Sequence, residues 1–314
     1  MTYCQKAFAL LYLILSLLTQ TSTGQSIDTF NIDNYVRWIR NYQEVSNINI
    51  PLNSLTDSEQ LLLCNIIKEN MKDSIFDIRW RSLTVGSNIV AGSTSNLVKS
   101  ELTSIMLQNI YDLDSRIVYT ASQNLLELED VKYTSGQKDT LVDLISRISN
   151  PNILVTLYRL CGKQGVSESM LLLKNVSFST NIPFYQRWVA LSSLTRLGNA
   201  EAENLMSDYL NRIDISLDAI KTLYPYILFS KSRQNISYLI ELIQNNNSGC
   251  ESSNPNVSTS IPCSYLVLTI VAPEIAELNW EGKDGLQSLE PEEALKKARV
   301  FFKNIDNNWS FKRE

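Results

Sequence analysis

Apolar residues recur at helical spacing between residues 190 and 210, and the pattern predicts two short helices joined by a tight turn. The first helix ends at Gly198, because glycine adopts the left-handed backbone of a helix C-terminus at little cost. Asn199 can then cap the second helix. The apolar faces of the two helices are Ala190, Leu191, Leu194 and Leu197, followed by Ala202, Leu205, Met206 and Tyr209. One such hairpin cannot bury both faces alone, so it needs a neighbouring hairpin.

The same pattern returns along the chain. Moving the stretch back by 33 residues places Gly198 on Gly165. Helical periodicity predicts four hairpins in all, and Pro225 is expected to kink the first helix of the last one. The hairpins are 114–128 with 137–149, 150–174, 190–210, and 216–229 with 235–245. Tandem hairpins at this interval indicate a solenoid.

The flanking regions are less regular. Helices are predicted at 27–43, 58–71, 74–91 and 97–111, the second entered through a capping box from Thr56 to Glu59. These helices are either two degraded repeats or an N-terminal cap. After a polar loop at 246–260, the apolar segment 264–277 is interpreted as a helix, with a strand as the alternative, and a last helix is expected at 291–305.

The stretch at 190–210 resembles the HEAT repeat, particularly its short bacterial form with a Leu-Gly-Asp turn. The residues that carry the resemblance are Ala190, Leu191, Leu194, 197–199 (Leu-Gly-Asn) and Ala202. Asn199 stands where that form usually has Asp. The resemblance implies an all-α fold, a right-handed α-solenoid of antiparallel helical hairpins, and usually a protein-binding role. It carries no enzymatic activity over to this chain.

Residues 1–24 have the pattern of a signal peptide, with Lys6 as the only charge, an apolar run at 7–18 and small residues before Gln25. The run is shorter than the roughly 20 residues of a membrane span. The sequence therefore predicts an exported protein, periplasmic or extracellular, without an integral membrane segment after cleavage. The rest divides into an N-terminal helical region at 25–112, the repeats at 113–278, and a C-terminal capping helix with a tail at 279–314.

Four cysteines follow the predicted signal peptide, and three pairings are formally possible. Cys250 with Cys263 is favoured, because a bridge there closes a short polar loop in an oxidising compartment. Cys64 and Cys161 each lie in an apolar helical run, which favours buried free thiols.

The chemistry that the chain lacks narrows its function further. With a formal charge of −5 and no compact Lys/Arg cluster, nucleic acid is not expected as a partner. The absence of histidine excludes Ser-His-Asp and Cys-His catalysis and zinc sites that use histidine. No catalytic, metal or cofactor-binding residue is predicted, and carboxylates at helix ends such as Glu201 and Glu290 are interpreted as solvated. Trp80 and Trp188 are expected in packing, and Trp280 and Trp309 either in exposed contacts or, for a tail residue, docked on the last helix.

The favoured function is an exported, non-catalytic scaffold, without cofactor, that binds a protein or peptide through its helical-repeat surface. The second helices of the hairpins supply the candidate face. It consists of Glu203, Ser207, Asn211, Tyr238 and Glu241. Two alternatives are a structural envelope component without a discrete ligand and a glycan-acting enzyme that uses carboxylates.

Overall fold

The computed structural model describes residues 39–40, 55–128, 131–250, 260–305 and 308–312. The chain divides into two units, Met1–Pro51 and Leu52–Glu314. The predicted signal peptide and most of the predicted helix at 27–43 lie outside the described residues, and residues 39–40 are helical. The described part of the second unit is predominantly helical, which confirms the all-α prediction.

The helices of the second unit follow the predicted order closely. The first seven are α1 (Asp57–Asn70), α2 (Phe76–Gly92), α3 (Asn96–Asn109), α4 (Ser115–Glu127), α5 (Ser135–Arg147), α6 (Pro151–Lys163) and α7 (Met170–Ser177). The next seven are α8 (Phe184–Arg196), α9 (Ala200–Leu210), α10 (Leu217–Thr222), α11 (Tyr224–Phe229), α12 (Arg233–Asn245), α13 (Cys263–Val271) and α14 (Pro291–Ile305). In the part of the chain that the structure describes, no helix is both long and apolar enough to cross a bilayer.

Two short strands, β1 (Gly249–Cys250) and β2 (Ile261–Pro262), pair antiparallel before α13. A disulfide joins Cys250 to Cys263, the pairing that the sequence favoured. Cys64 and Cys161 are buried free thiols, as expected from their apolar surroundings. Burial raises the pKa of each thiol to about 12, because the thiolate would lose its hydration. Neither thiol is therefore poised for nucleophilic chemistry.

Local sequence signals set several helix ends as predicted. At the start of α1, the Glu59 N–H donates to Thr56 Oγ1 and the Thr56 N–H donates to Glu59 Oε2, at 3.3 and 2.8 Å, which completes the capping box. Asn199 caps α9, because its side-chain oxygen accepts from the Ala202 N–H at 2.9 Å.

Some boundaries differ from the prediction. A single kinked helix was expected at 216–229, but α10 ends at Thr222 and α11 restarts at Tyr224, with Pro225 in its first turn. Proline lacks the N–H that a continuous helix would need, and it is well tolerated in a first turn, so it separates two helices. Helix α5 begins earlier than expected because Thr134 and Gln137 form a second capping box. The segment at 264–277, interpreted as a helix rather than a strand, is helical as α13, which ends at Val271 and is followed by a short 3₁₀ turn at Ala272–Glu274.

Three turns of the second unit share one backbone conformation at a spacing of 33 residues. Gly165, Gly198 and Lys231 have φ values of 61°, 83° and 51°. At the first two turns, the N–H of the next residue donates to the carbonyl five residues earlier, from Val166 to Cys161 and from Asn199 to Leu194. This is the Schellman arrangement of a helix C-terminus. Lys231 therefore occupies the left-handed position that glycine fills in the two preceding turns, at a cost that glycine avoids.

We expect Lys231→Gly to be more stable than Lys231→Ala by about 1 kcal/mol, because both variants lose the side chain but only alanine strains the left-handed backbone. Urea unfolding followed by far-UV circular dichroism measures the difference. The control is the same pair of substitutions at Lys297 in α14, where alanine should be the more stable by a similar amount. A more stable alanine at position 231 would contradict the prediction.

Helix contacts alternate along the second unit. The helices α2, α4, α6, α8, α11 and α13 form one series, in which each member contacts the next. The helices α1, α3 and α5 also contact one another in order, as do α9, α12 and α14. Helices adjacent in sequence also contact each other, as α8 does with α7 and α9. Each helix is thus packed mainly against its near neighbours in the chain.

Side-chain hydrogen bonds repeat at the same interval as the turns. Among the described residues, seven pairs joined by them are 33 positions apart, and six of these pairs lie between α1 and the end of α11. The six are Gln60 with Ser93, Lys68 with Glu101, Arg79 with Asp112, Ser104 with Gln137, Gln123 with Thr156, and Arg196 with the Phe229 carbonyl. The seventh pair, Glu277 with Ser310, joins the C-terminal tail to the segment after α13. Their separation equals the 33-residue spacing of the three left-handed turns.

Trp80 and Trp280 depart from expectation, and Trp309 is buried, as in the alternative that a tail residue docks on the fold. Trp188 is buried as expected, with 1% exposure. Trp80 is 42% exposed, because it shares the polar side of α2 with Thr84 while the apolar residues of that helix lie opposite. Trp280 and Trp309 were expected in exposed contacts, with docking on the last helix as the alternative for a tail residue, and both are buried. The tail at 308–312 pairs with the segment at 274–276, as in the Ile275–Phe311 bridge, and this places the Trp309 ring under the Arg233 guanidinium.

Candidate functional site

The face that the sequence predicted is divided between contacts within the fold and exposed groups. Glu203 accepts a hydrogen bond from Ser232, and Ser207 is hydrogen-bonded to both Gln234 and Asn235. Two members of the face therefore hold α9 to the first turn of α12. Asn211 and Glu241 are exposed, and Tyr238 is half-buried. In the described residues, no group of three or more Asp, Glu or Cys side chains is arranged to hold a metal ion.

A cleft of about 780 Å³ lies along the ends of the first helical series. Helices α6, α8, α11 and α13 contribute to it, together with the turn before α5 and the C-terminal tail. Six of its lining residues are cationic: Lys132, Arg159, Lys163, Arg196, Lys231 and Lys312. The apolar lining residues are Val131, Pro225, Leu228, Phe229, Ile270 and Pro273. Gln164, Thr269 and Glu274 complete the lining.

The positive charge of this cleft contrasts with the composition of the chain. Lysine and arginine make up 28 of 314 residues, and the formal net charge is −5. At that frequency, about one cation would be expected among 15 lining residues, but six are present. Glu274 is the single acidic residue in the described lining. Concave surfaces lined by one sign of charge concentrate ligands of the opposite sign, so the cleft suits an anion.

Two arginines of the cleft lie against aromatic rings. The Arg159 guanidinium carbon is 5.6 Å from the ring centre of Tyr226 and 5.7 Å from that of Phe229. The Arg196 guanidinium carbon is 4.8 Å from the Phe229 ring centre, and one of its nitrogens donates to the Phe229 carbonyl at 2.8 Å. Such contacts hold the planar guanidinium groups in fixed orientations.

Two lysines of the cleft also stabilise the fold. Lys163 Nζ donates to the carbonyls of Leu126 and Leu128 at the end of α4, at 2.9 Å each. Lys231 Nζ is 2.8 Å from Glu274 Oε2. Cations at helix C-termini are favourable there because of the helix dipole. This role explains part of the cluster, but it leaves Lys132, Arg159 and Lys312 without a comparable structural reason.

A close approach of helices shapes the wall of the cleft at Gly162. A β-carbon added there would lie 3.1 Å from the Ser193 backbone and 3.2 Å from the Phe229 ring. Glycine therefore allows α6 to approach α8 and places Phe229 beside both arginines.

A smaller pocket of about 350 Å³ shares Arg159 and Pro225 with the cleft. Lys221, Tyr185 and Tyr226 line it as well, and the two tyrosine hydroxyls are hydrogen-bonded to each other. Burial, reinforced by that hydrogen bond, raises the pKa of Tyr226 above its usual range. Tyr226 is therefore neutral at physiological pH and offers hydrogen bonding rather than a nucleophilic phenolate.

This cluster does not correspond to any run of cations along the chain. Lys132, Lys163, Arg196 and Lys231 follow one another at intervals of 31, 33 and 35 residues. These intervals are close to the 33-residue spacing of the three left-handed turns. A search for cations at the repeat interval, rather than in a run, would have found them.

No protein-family model matches this chain. No curated protein matches it either. The function is therefore inferred from the geometry of the chain itself, from the 33-residue recurrence of its turns and hydrogen bonds and from the concentration of positive charge in one cleft.

Proposed function

We propose that this protein is an exported, non-catalytic scaffold that binds a protein or peptide on the surface of a right-handed, HEAT-like α-solenoid of antiparallel hairpins. The observation that carries the proposal is the recurrence of side-chain hydrogen bonds and left-handed turns at intervals of 33 residues. Stacked repeats contact their nearest neighbours, as these helices do, and they create long surfaces suited to extended partners.

The cleft is the part of this surface that best fits a binding role. It combines fixed arginines, aromatic rings and apolar side chains, which are the groups enriched at the energetic centres of protein interfaces. We therefore favour it over the face of Glu203, Ser207, Asn211, Tyr238 and Glu241, where Glu203 and Ser207 already bind α12.

A binding role is also favoured over a catalytic one by the chemistry of the cleft. Its one described carboxylate, Glu274, is paired with Lys231, and its neighbour Tyr226 has a raised pKa. The lining thus supplies hydrogen-bond donors and positive charge rather than a nucleophile with its base. The disulfide between Cys250 and Cys263 supports export, because such bonds persist in oxidising compartments.

Site-specific photo-crosslinking in the native host would test the proposal. The photoreactive residue is placed at Thr269, which lines the cleft, or at Glu241, which is exposed on α12. We expect one protein adduct from position 269 and none from position 241. An adduct from position 241 alone would keep the scaffold but move its binding surface to the second helices. No protein adduct from either position would overturn the scaffold proposal.

A further inference from the structure

The cleft carries enough detail to define the chemistry of its partner. We propose that it binds an extended acidic peptide segment, with carboxylates at about every third residue, and this inference rests on the proposed scaffold function. The charge of the described lining residues favours an anionic partner, since Lys132, Arg159 and Lys312 add positive charge while the carboxylate of Glu274 is paired with Lys231. The apolar and aromatic residues of the same lining require that the partner also carry side chains that can be buried.

The spacing of the cations fits an extended peptide. Arg159 and Lys163 belong to α6, Arg196 to α8, and Lys231 follows α11, and these three helices contact one another in order. Packed helices lie about 8–10 Å apart. An extended peptide advances about 3.3 Å per residue, so every third residue meets the next helix. Carboxylates at that interval would each meet a cation from a different helix.

The apolar part of the lining disfavours a nucleic acid strand, because its charged backbone offers no apolar side chain between successive phosphates. Leu228, Ile270 and Pro273 further suit a chain with apolar side chains between its charges.

Arg159 is the expected anchor. Its side chain lines both the cleft and the smaller pocket, and the residue is half-buried. A carboxylate is the acceptor that matches the guanidinium fork best. The contacts with Tyr226 and Phe229 already fix this fork, so little side-chain entropy is lost on binding.

The test measures binding of the purified full chain to a fluorescent peptide of about 15 residues with Glu at every third position, by fluorescence anisotropy. The same peptide with Gln in place of Glu isolates the contribution of charge. The cleft variant is Lys132→Gln/Arg159→Gln/Lys312→Gln. Its matched control, Lys72→Gln/Lys283→Gln/Lys303→Gln, removes the same charge from exposed lysines outside the cleft.

We expect the Glu peptide to bind and the Gln peptide to bind at least about tenfold more weakly, because several partly exposed ion pairs are lost together. The cleft variant should lose about tenfold in affinity for the Glu peptide, and the control variant less than about twofold. Added salt should weaken binding of the Glu peptide, since these pairs are open to solvent.

Three results would overturn the inference. The first is equal affinity for the Glu and Gln peptides, and the second is equal loss in the cleft and control variants. The third is tighter, cleft-dependent binding of single-stranded DNA or polygalacturonate, used as competitors, which would assign the cleft to another polyanion. If the peptides fail to bind but crosslinking at position 269 still yields a protein adduct, the scaffold function stands and only the acidic-peptide assignment fails.

Discussion

Replacing Trp188 with alanine is expected to lower the free energy of unfolding by about 4 kcal/mol, because it opens a large cavity in the core. The indole is 1% exposed, and its ring stacks on Phe184 and meets the edge of Tyr209. Its N–H also donates to the Leu223 carbonyl at 3.0 Å, in the break between α10 and α11. The substitution therefore removes buried apolar area and one of the two hydrogen bonds that the Leu223 carbonyl accepts, the other coming from the Tyr226 N–H.

Trp80→Ala is the matched control, because it deletes the same side chain from a site that is 42% exposed. We expect it to cost less than about 1 kcal/mol, as surface substitutions usually do. Urea unfolding of the wild type and both variants, followed by far-UV circular dichroism, measures the two differences. Similar losses for both variants would mean that burial does not distinguish these tryptophans.

Helices were predictable from the sequence wherever a local signal was sufficient. The capping box at Thr56 and the turn at Gly198 depend on residues within one helical turn, and both were found. The overlay of Gly198 on Gly165 also predicted that the two turns share a conformation. The same overlay, continued by 33 residues, reaches Lys231, where composition gives no hint of a left-handed backbone.

Exposure was less predictable because it depends on which face of a helix meets its neighbours. Trp80 and Trp188 both lie beside arginines in helical runs, yet only Trp188 is turned towards other helices. The polar residue four positions after Trp80, Thr84, was the signal that this side of α2 faces outward. Trp309 is buried by the return of the tail to the segment at 274–276, which no periodicity could reveal.

The cleft could be predicted only with knowledge of which helices are neighbours. Its cations are far apart along the chain, and they come together only because α4, α6, α8 and α11 contact one another in order. The net charge of −5 pointed away from a basic surface, since it averages over the whole chain. Cations spaced about 33 residues apart change neither the overall composition nor the local density of charge along the chain. They are recognised only when residues separated by the 33-residue spacing of the left-handed turns are compared.

Replacing Asp112 with alanine should have the second-largest effect, a loss of about 3 to 4 kcal/mol, because it leaves a nearly buried guanidinium without its carboxylate. Asp112 binds Arg79 through both oxygens, at 2.8 and 3.1 Å, and the side chains are 9% and 13% exposed. The pair ties the first turn of α2 to the connection between α3 and α4 across one repeat interval. Asp112 also accepts the Asp114 N–H, so its loss loosens the entry to α4.

Glu69→Ala separates this effect from the loss of any ion pair, since Glu69 and Lys72 are paired at 2.8 Å but are 70% and 65% exposed. We expect a change below about 0.5 kcal/mol there, because water and salt screen an exposed pair. In the double variant Arg79→Ala/Asp112→Ala, the loss should be smaller than the sum of the single losses, since no charge is left buried alone. Additive losses, or equal costs for Asp112→Ala and Glu69→Ala, would show that this ion pair does not hold α2 to the connection between α3 and α4.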